Sequence, residues 1–192
     1  MIFVSINPFA LKRFFFFLLA AVGFSCISCF GQSILLSVKA TPYDRQMTRI
    51  RPFLVSNDAP SHRDLSLRIV NFWIGDLRSI PYGFTREWKT PAETESGAPA
   101  DCKAKAVALY ERMQSHGATN IRLVIGKHTN TSRCTHAWVE WDTESGSYVL
   151  DPTLNWSALP LRRVSRNSYL PLFAYEGSKK FQAARADLVA QN

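Results

Sequence analysis

Gly97-Ala98-Pro99-Ala100-Asp101-Cys102-Lys103-Ala104-Lys105-Ala106-Val107-Ala108-Leu109-Tyr110-Glu111-Arg112-Met113 decides the fold. A loop rich in small residues and proline runs through Asp101 into an alanine-rich segment, the composition of a helix that begins near Cys102. Ala106, Leu109, Tyr110 and Met113 recur at the i, i+3, i+4, i+7 spacing of one buried face, and Asp101 is a residue type that caps the opening amides. Gly117, one residue past His116, ends it as a C′ glycine. Cys102 therefore sits in the first turn, where unpaired amide N–H groups, the positive end of the helix dipole and the neighbouring Lys103 favour a thiolate. A thiolate is a nucleophile, and a thiol is a poor one.

Outward from this helix toward the C-terminus the period changes from 3.6 to 2. Ile121, Leu123 and Ile125 alternate with Arg122 and Val124, which is a strand signal, and a polar loop from Lys127 to Arg133 leads to Cys134, Thr135 and His136. In the next strand His136, Trp138 and Glu140 share one face, with Ala137, Val139 and Trp141 on the other. Thr143 to Gly146 turn the chain, and Tyr148 to Asp151 return it before Pro152, making a β-hairpin. If Asp142 and Ser147 pair across that turn, Asp151 falls opposite Trp138, on the face of His136 and diagonal to it, about 7–8 Å away at the backbone. A slip of one residue would separate the two onto opposite faces.

Nucleophilic catalysis by cysteine needs a thiolate, an imidazole to hold and return the proton, and a third group to orient that imidazole. Cys102, His136 and Asp151 match these needs at a helix start, a strand start and a neighbouring strand end. From Trp88 to Trp156 the chain resembles the transglutaminase-like superfamily within the papain-like fold, and within it the bacterial transglutaminase-like cysteine proteinases. The words that carry the resemblance are Trp88-Lys-Thr-Pro-Ala-Glu93, Asp101-Cys102 with its alanine-rich helix, Thr135-His136-Ala137-Trp138-Val139 and Val149-Leu150-Asp151-Pro152. The resemblance implies an α+β fold with a papain-like, transglutaminase-like core, the catalytic cysteine at the N-terminus of a central helix packed on an antiparallel sheet. It implies Cys102 as nucleophile, His136 as general base and then acid, Asp151 as orienter, and the Cys102 backbone N–H as one oxyanion donor, the second donor being open. Family members act on amide bonds, by hydrolysis or by acyl transfer to an amine. Some need calcium held by acidic residues flanking the cysteine. Here Asp-Cys-Glu-Asp becomes Asp101-Cys102-Lys103-Ala104, two carboxylates short, so the expectation from the residues is no cofactor and no metal, with calcium the alternative that the resemblance implies.

Other readings compete with parts of this one. A zinc site from Cys102, Cys134, His128 and His136 lacks the Cys-x-x-Cys clamp and regular spacing. Cys134 reads as a free, small core residue, with a disulfide to Cys102 as the alternative. Trp88 and Trp138 are candidates for walls of a substrate cleft, with loop packing and core packing as their other roles. Besides a cysteine peptidase working through a thioester, the chain suits a catalytically idle transglutaminase-like binding or scaffold protein of the cell envelope, or an acyl-transferring crosslinker.

Toward the N-terminus, Ser61 and Asp64 resemble a capping pair for a helix carrying Leu65, Ile69, Phe72, Trp73 and Leu77 to about Arg78. Residues 32–60, punctuated by Pro42, Pro52 and Pro60, read as an extended lead-in to a single domain over 61–192. Residues 1–31 have the layout of an export signal: Lys12 and Arg13, then Phe14 to Val22, then small residues with cleavage after Gly31. An uncleaved anchor is the alternative, since Phe14 to Phe30 is uncharged. The expected location is periplasmic or secreted, with a protein or peptide substrate of the envelope as partner. Lys12 and Arg13 leave with the signal, taking the net charge from +8 to +6. The remaining basic residues are scattered and not interleaved with aromatics, which argues against nucleic acid. Toward the C-terminus, Leu161 to Tyr175 reads as strand with Pro160 and Pro171 at edges, and Ser178 to Ala190 as a short helix with Phe181, Ala184 and Leu188 inward.

Overall fold

In the computed structural model, residues 29–30, 33–55 and 65–185 are described. The signal and its cleavage point, the Ser61 and Asp64 pair, and Leu188 lie outside the described residues.

The helix predicted from the alanine-rich stretch is α4, Cys102–Ser115, capped by Asp101, whose side chain accepts from the Ala104 N–H, and followed by Gly117 at φ +85°. Three shorter helices precede it: α1 (Arg51–Val55), α2 (Leu67–Ser79) and α3 (Pro91–Glu95). Helix α3 has a complete capping box, Thr90 and Glu93 exchanging side-chain and backbone bonds, with Pro91 at its first turn. Helix α2 is capped by Ser66 rather than Ser61, and its buried face is Val70, Trp73, Ile74 and Leu77, while Ile69 and Phe72 are exposed. Trp73 and Leu77 face inward as expected, whereas Val70 and Ile74 take the buried positions expected of Ile69 and Phe72.

Among the described residues, eight strands form one antiparallel sheet: β1 (Cys29–Phe30), β2 (Ser33–Ser37), β3 (Ile121–Thr129), β4 (His136–Thr143), β5 (Gly146–Leu150), β6 (Leu159–Pro160), β7 (Ser168–Glu176) and β8 (Lys179–Arg185). Their spatial order is β1-β2-β8-β7-β3-β4-β5-β6. The β4–β5 register pairs Asp142 with Ser147, as the hairpin argument requires, and also Thr143 with Gly146, so the loop is two residues long. Lys179–Arg185 is strand, not helix: Phe181 and Ala183, two apart, pack against the same cluster. Leu161–Arg163 is a 3-10 turn, and Pro171 lies in the central strand β7 rather than at an edge. A β-bulge at Ile125/Gly126 puts Pro171 opposite Gly126 and skips Leu172 in the pairing, the setting in which a sheet tolerates a residue without an N–H.

The helices cover one sheet face. Their core joins Val107, Leu109, Tyr110 and Met113 of α4 to Leu123, Ile125, Val139 and Leu150 of the strands. The opposite face carries a smaller cluster of Leu35, Val124, Trp138, Val149, Tyr169 and Ala174. The stretch read as an extended lead-in contributes to both: β2 pairs with β8, and Met47, Ile50 and Leu54 enter the helix-side core.

Candidate active site

Three elements deliver the candidate residues. Helix α4 opens with Cys102, half-buried; β4 opens with His136; and Asp151, wholly buried, follows the last residue of β5. His136 Nε2 lies 2.7 Å from Asp151 Oδ2, and the Cys102 thiol is among the groups that raise the imidazole's pKa. With Nε2 committed to the carboxylate, Nδ1 is the ring nitrogen left to exchange a proton with sulfur.

Asp151 is held by four donors. Oδ2 accepts from His136 and from the Tyr169 hydroxyl at 3.0 Å, and Oδ1 accepts from the backbone N–H of Thr153 at 2.9 Å and Leu154 at 3.1 Å. Burial alone would raise its pKa, but the His136 bond and charge and the two amides hold it below the usual carboxylate value. Burial likewise works against the His136 imidazolium, yet Asp151 and Cys102 overcome it and carry the ring to about 9. At neutral pH the imidazole is therefore protonated.

Tyr169 was not foreseen. Its ring packs edge-on to Trp138 and to His128, its hydroxyl accepts from Asn155 Nδ2 at 2.9 Å, and its backbone sits at φ +52°, a conformation bulky residues rarely adopt. Its separation of 18 residues from Asp151 left no local pattern to read.

The two tryptophans expected to wall a cleft face inward instead. Trp88 is 3% exposed and packs in the helix-side core, while Trp138 is fully buried on the other sheet face, stacked beside His136 with ring centroids 6.1 Å apart. Indole rings bury large apolar areas, and both found a core within reach. The exposed aromatics around the site are Tyr82, Phe84 and Trp156. Partial burial, then the charges of Cys102, Asp101 and Cys134, raise the Tyr82 pKa. Lys103 lies 5.1 Å from the Phe84 ring centre, and Arg78, which bonds the Thr153 carbonyl, stacks over Trp156 at 4.6 Å. Cys134 is exposed rather than a core residue, and both cysteines are free.

The residues beside Cys102 do not fit a calcium ion. The Lys103 ammonium pairs with the Asp101 carboxylate and also donates to the Thr85 carbonyl, and the other Asp101 oxygen caps α4. A cation already occupies the charge that a metal would use. No group of three or more His, Cys, Asp or Glu side chains suited to a metal occurs among the described residues, and no helix there is long and apolar enough to cross a membrane.

Fold and site together define a mixed α+β domain, helices on one face of an antiparallel sheet, with a thiol at the opening of α4 and an imidazole bonded to a buried carboxylate. Its fold is similar to that of Legionella pneumophila LapG. The calcium-bound form aligns with TM-score 0.53 and 17% identity over 74% of this chain and 81% of that one. The EGTA-treated form aligns with TM-score 0.52 and 14% identity over 77% and 84%, and a further LapG structure with TM-score 0.52 and 15% identity over 76% and 81%. No family profile matches the chain, and no curated protein matches it in sequence.

Proposed function

We propose that this chain is an exported cysteine peptidase of the transglutaminase-like type, cleaving amide bonds with Cys102, His136 and Asp151. The observation that carries the reading is the His136–Asp151 bond of 2.7 Å, on an imidazole whose pKa is raised in part by the Cys102 thiol at the start of α4.

The chemistry follows from the charges. The Cys102 sulfur, its proton held on His136, forms a bond to the amide carbon, and the carbonyl π electrons move to oxygen. The Cys102 backbone N–H at the opening of α4 is a donor for that oxyanion. As the C–N bond breaks, His136 gives its proton to the leaving amine, and a thioester remains on Cys102. Water then attacks the thioester carbon, losing a proton to His136, and the C–S bond breaks to free the acid and restore the thiolate and imidazolium. Asp151 keeps the ring in the orientation and tautomer both half-reactions need. An amine in place of water would make the same thioester a crosslinking intermediate.

Cys134 supplies an internal standard for the test. With iodoacetamide at pH 7, Cys102 is expected to alkylate at least about tenfold faster than exposed Cys134. His136→Ala should bring the two rates together while circular dichroism stays unchanged. Equal rates in the unaltered protein would overturn the proposal and favour an idle binding protein.

A further inference from the structure

The sheet face turned away from α4 holds a cavity of about 460 Å3 between the β4–β5 turn, the 3-10 turn and β7. Glu140 lines it, two residues along β4 from Trp138 and therefore on the same face. This carboxyl is 2% exposed. Oε1 accepts from Trp138 Nε1 at 3.1 Å, whereas Oε2 is buried with no hydrogen-bond partner. Burial pushes Glu140 up to about 7, against the Trp138 bond and Arg122, with Asp142 adding to the rise. Arg122, opposite Glu140 on β3, is engaged with Asp142 and with Glu176 at 3.7 Å.

A buried acceptor left unmet destabilises the fold, and the mechanism proposed for Cys102 makes no use of this one. The cavity around it is divided by chemistry. Val164, Leu170 and Pro171 give it apolar walls, and Arg162 and Arg166 bring two exposed guanidinium groups that have no carboxylate partner among the described residues. A buried carboxyl oxygen lacking a donor asks for an ammonium group, and two exposed guanidiniums ask for a carboxylate or phosphate.

We propose that this cavity binds a small amphoteric molecule, its ammonium on Glu140 Oε2, its apolar middle along Val164, Leu170 and Pro171, and its acid group on Arg162 and Arg166. Cys102 does not line this cavity, although Tyr169, which bonds Asp151, does, and the cavity's occupancy does not depend on the chain being a peptidase.

Isothermal titration of the full chain with the ω-amino acids from 4-aminobutanoate to 8-aminooctanoate tests this directly. At least one member is expected to bind saturably with Kd of about 1 mM or tighter. The alkylamine and the fatty acid of matching length should each bind at least about tenfold more weakly, since each lacks one of the two polar contacts. Glu140→Gln should reduce affinity. Because that substitution alters a buried group, the surface pair Arg162→Ala with Arg166→Ala gives an independent arm: at least about a tenfold loss with an unchanged thermal midpoint. The proposal is overturned if no member saturates by about 10 mM, if the amine or the acid alone binds as well, or if the double arginine variant binds undiminished.

Discussion

Asp151 is where opposing electrostatic effects of burial and pairing are resolved, because a carboxylate with no exposure keeps its charge only through the donors around it. His136 gains in turn. Its folded pKa of about 9 stands above the ordinary 6.5. The stability from this pairing is therefore fully present below about 6.5 and is lost as pH rises through about 9. Asp151→Asn should abolish that dependence and move the alkaline limb of amide cleavage from about 9 toward 6.5. Turnover at neutral pH should fall by about 10^2 to 10^4-fold, and pH-rate profiles of the two proteins check both expectations. A second outcome belongs to Lys103, whose ammonium already neutralises Asp101. EGTA and added calcium should leave the alkylation rate of Cys102 and the thermal midpoint unmoved; a rise of more than about 2 °C with about 1 mM calcium would contradict this. The positions of Cys102, His136 and Asp151 in their elements were legible in the sequence because each stands at a boundary its neighbours announce: a cap, a strand start and a residue before proline. Tyr169 and Glu140 were not, since their partnerships cross between strands or depend on what burial leaves unpaired.

At the scale of elements, one glycine controls the seat of β7 on β3. A Cβ on Gly126 would stand 2.1 Å from the Leu170 carbonyl oxygen and 2.6 Å from the Trp138 ring, the first a backbone atom of the bulged strand. Gly126→Ala should therefore cost about 3 kcal/mol, lowering the thermal midpoint by roughly 6–12 °C for a chain of this size. Gly75 in α2 is its control, with nothing within 4 Å of an added Cβ. Gly75→Ala should raise stability by about 0.5–1 kcal/mol, since alanine holds a helix better than glycine. Calorimetry of the two variants separates a packing demand from a general preference. Elements with a single strong period were readable from sequence, α4 and the β4–β5 hairpin above all. Strand β8 was misread because Phe181 and Ala184 satisfy a helical spacing, whereas it is Phe181 and Ala183 that face the second cluster. Over so short a run the two periods share too many positions to be told apart.

For the whole molecule, the two ends of the described chain close one side of the sheet. Strand β2 pairs with β8 through five residue pairs, with Leu35 buried in the second cluster. The turn at Thr41 to Ile50 then ties this edge to the rest: Thr41 bonds the Tyr175 hydroxyl at 2.6 Å, and Asp44 pairs with Lys180 at 2.7 Å. Pairings between residues so far apart leave no trace in local periodicity, which is why residues 32–60 read as a lead-in rather than as part of the sheet. Removing residues 1–38 should uncover the backbone of β8 along its full length and forfeit the burial of Leu35, about 1.5–3 kcal/mol from that side chain alone. An uncovered edge also invites pairing between molecules. The shortened chain is thus expected to melt earlier and to associate with rising concentration, while a chain beginning at residue 32 stays monodisperse. Melting curves and light scattering of the two chains decide the matter, and matching behaviour would mean that β2 merely rests on a domain complete without it.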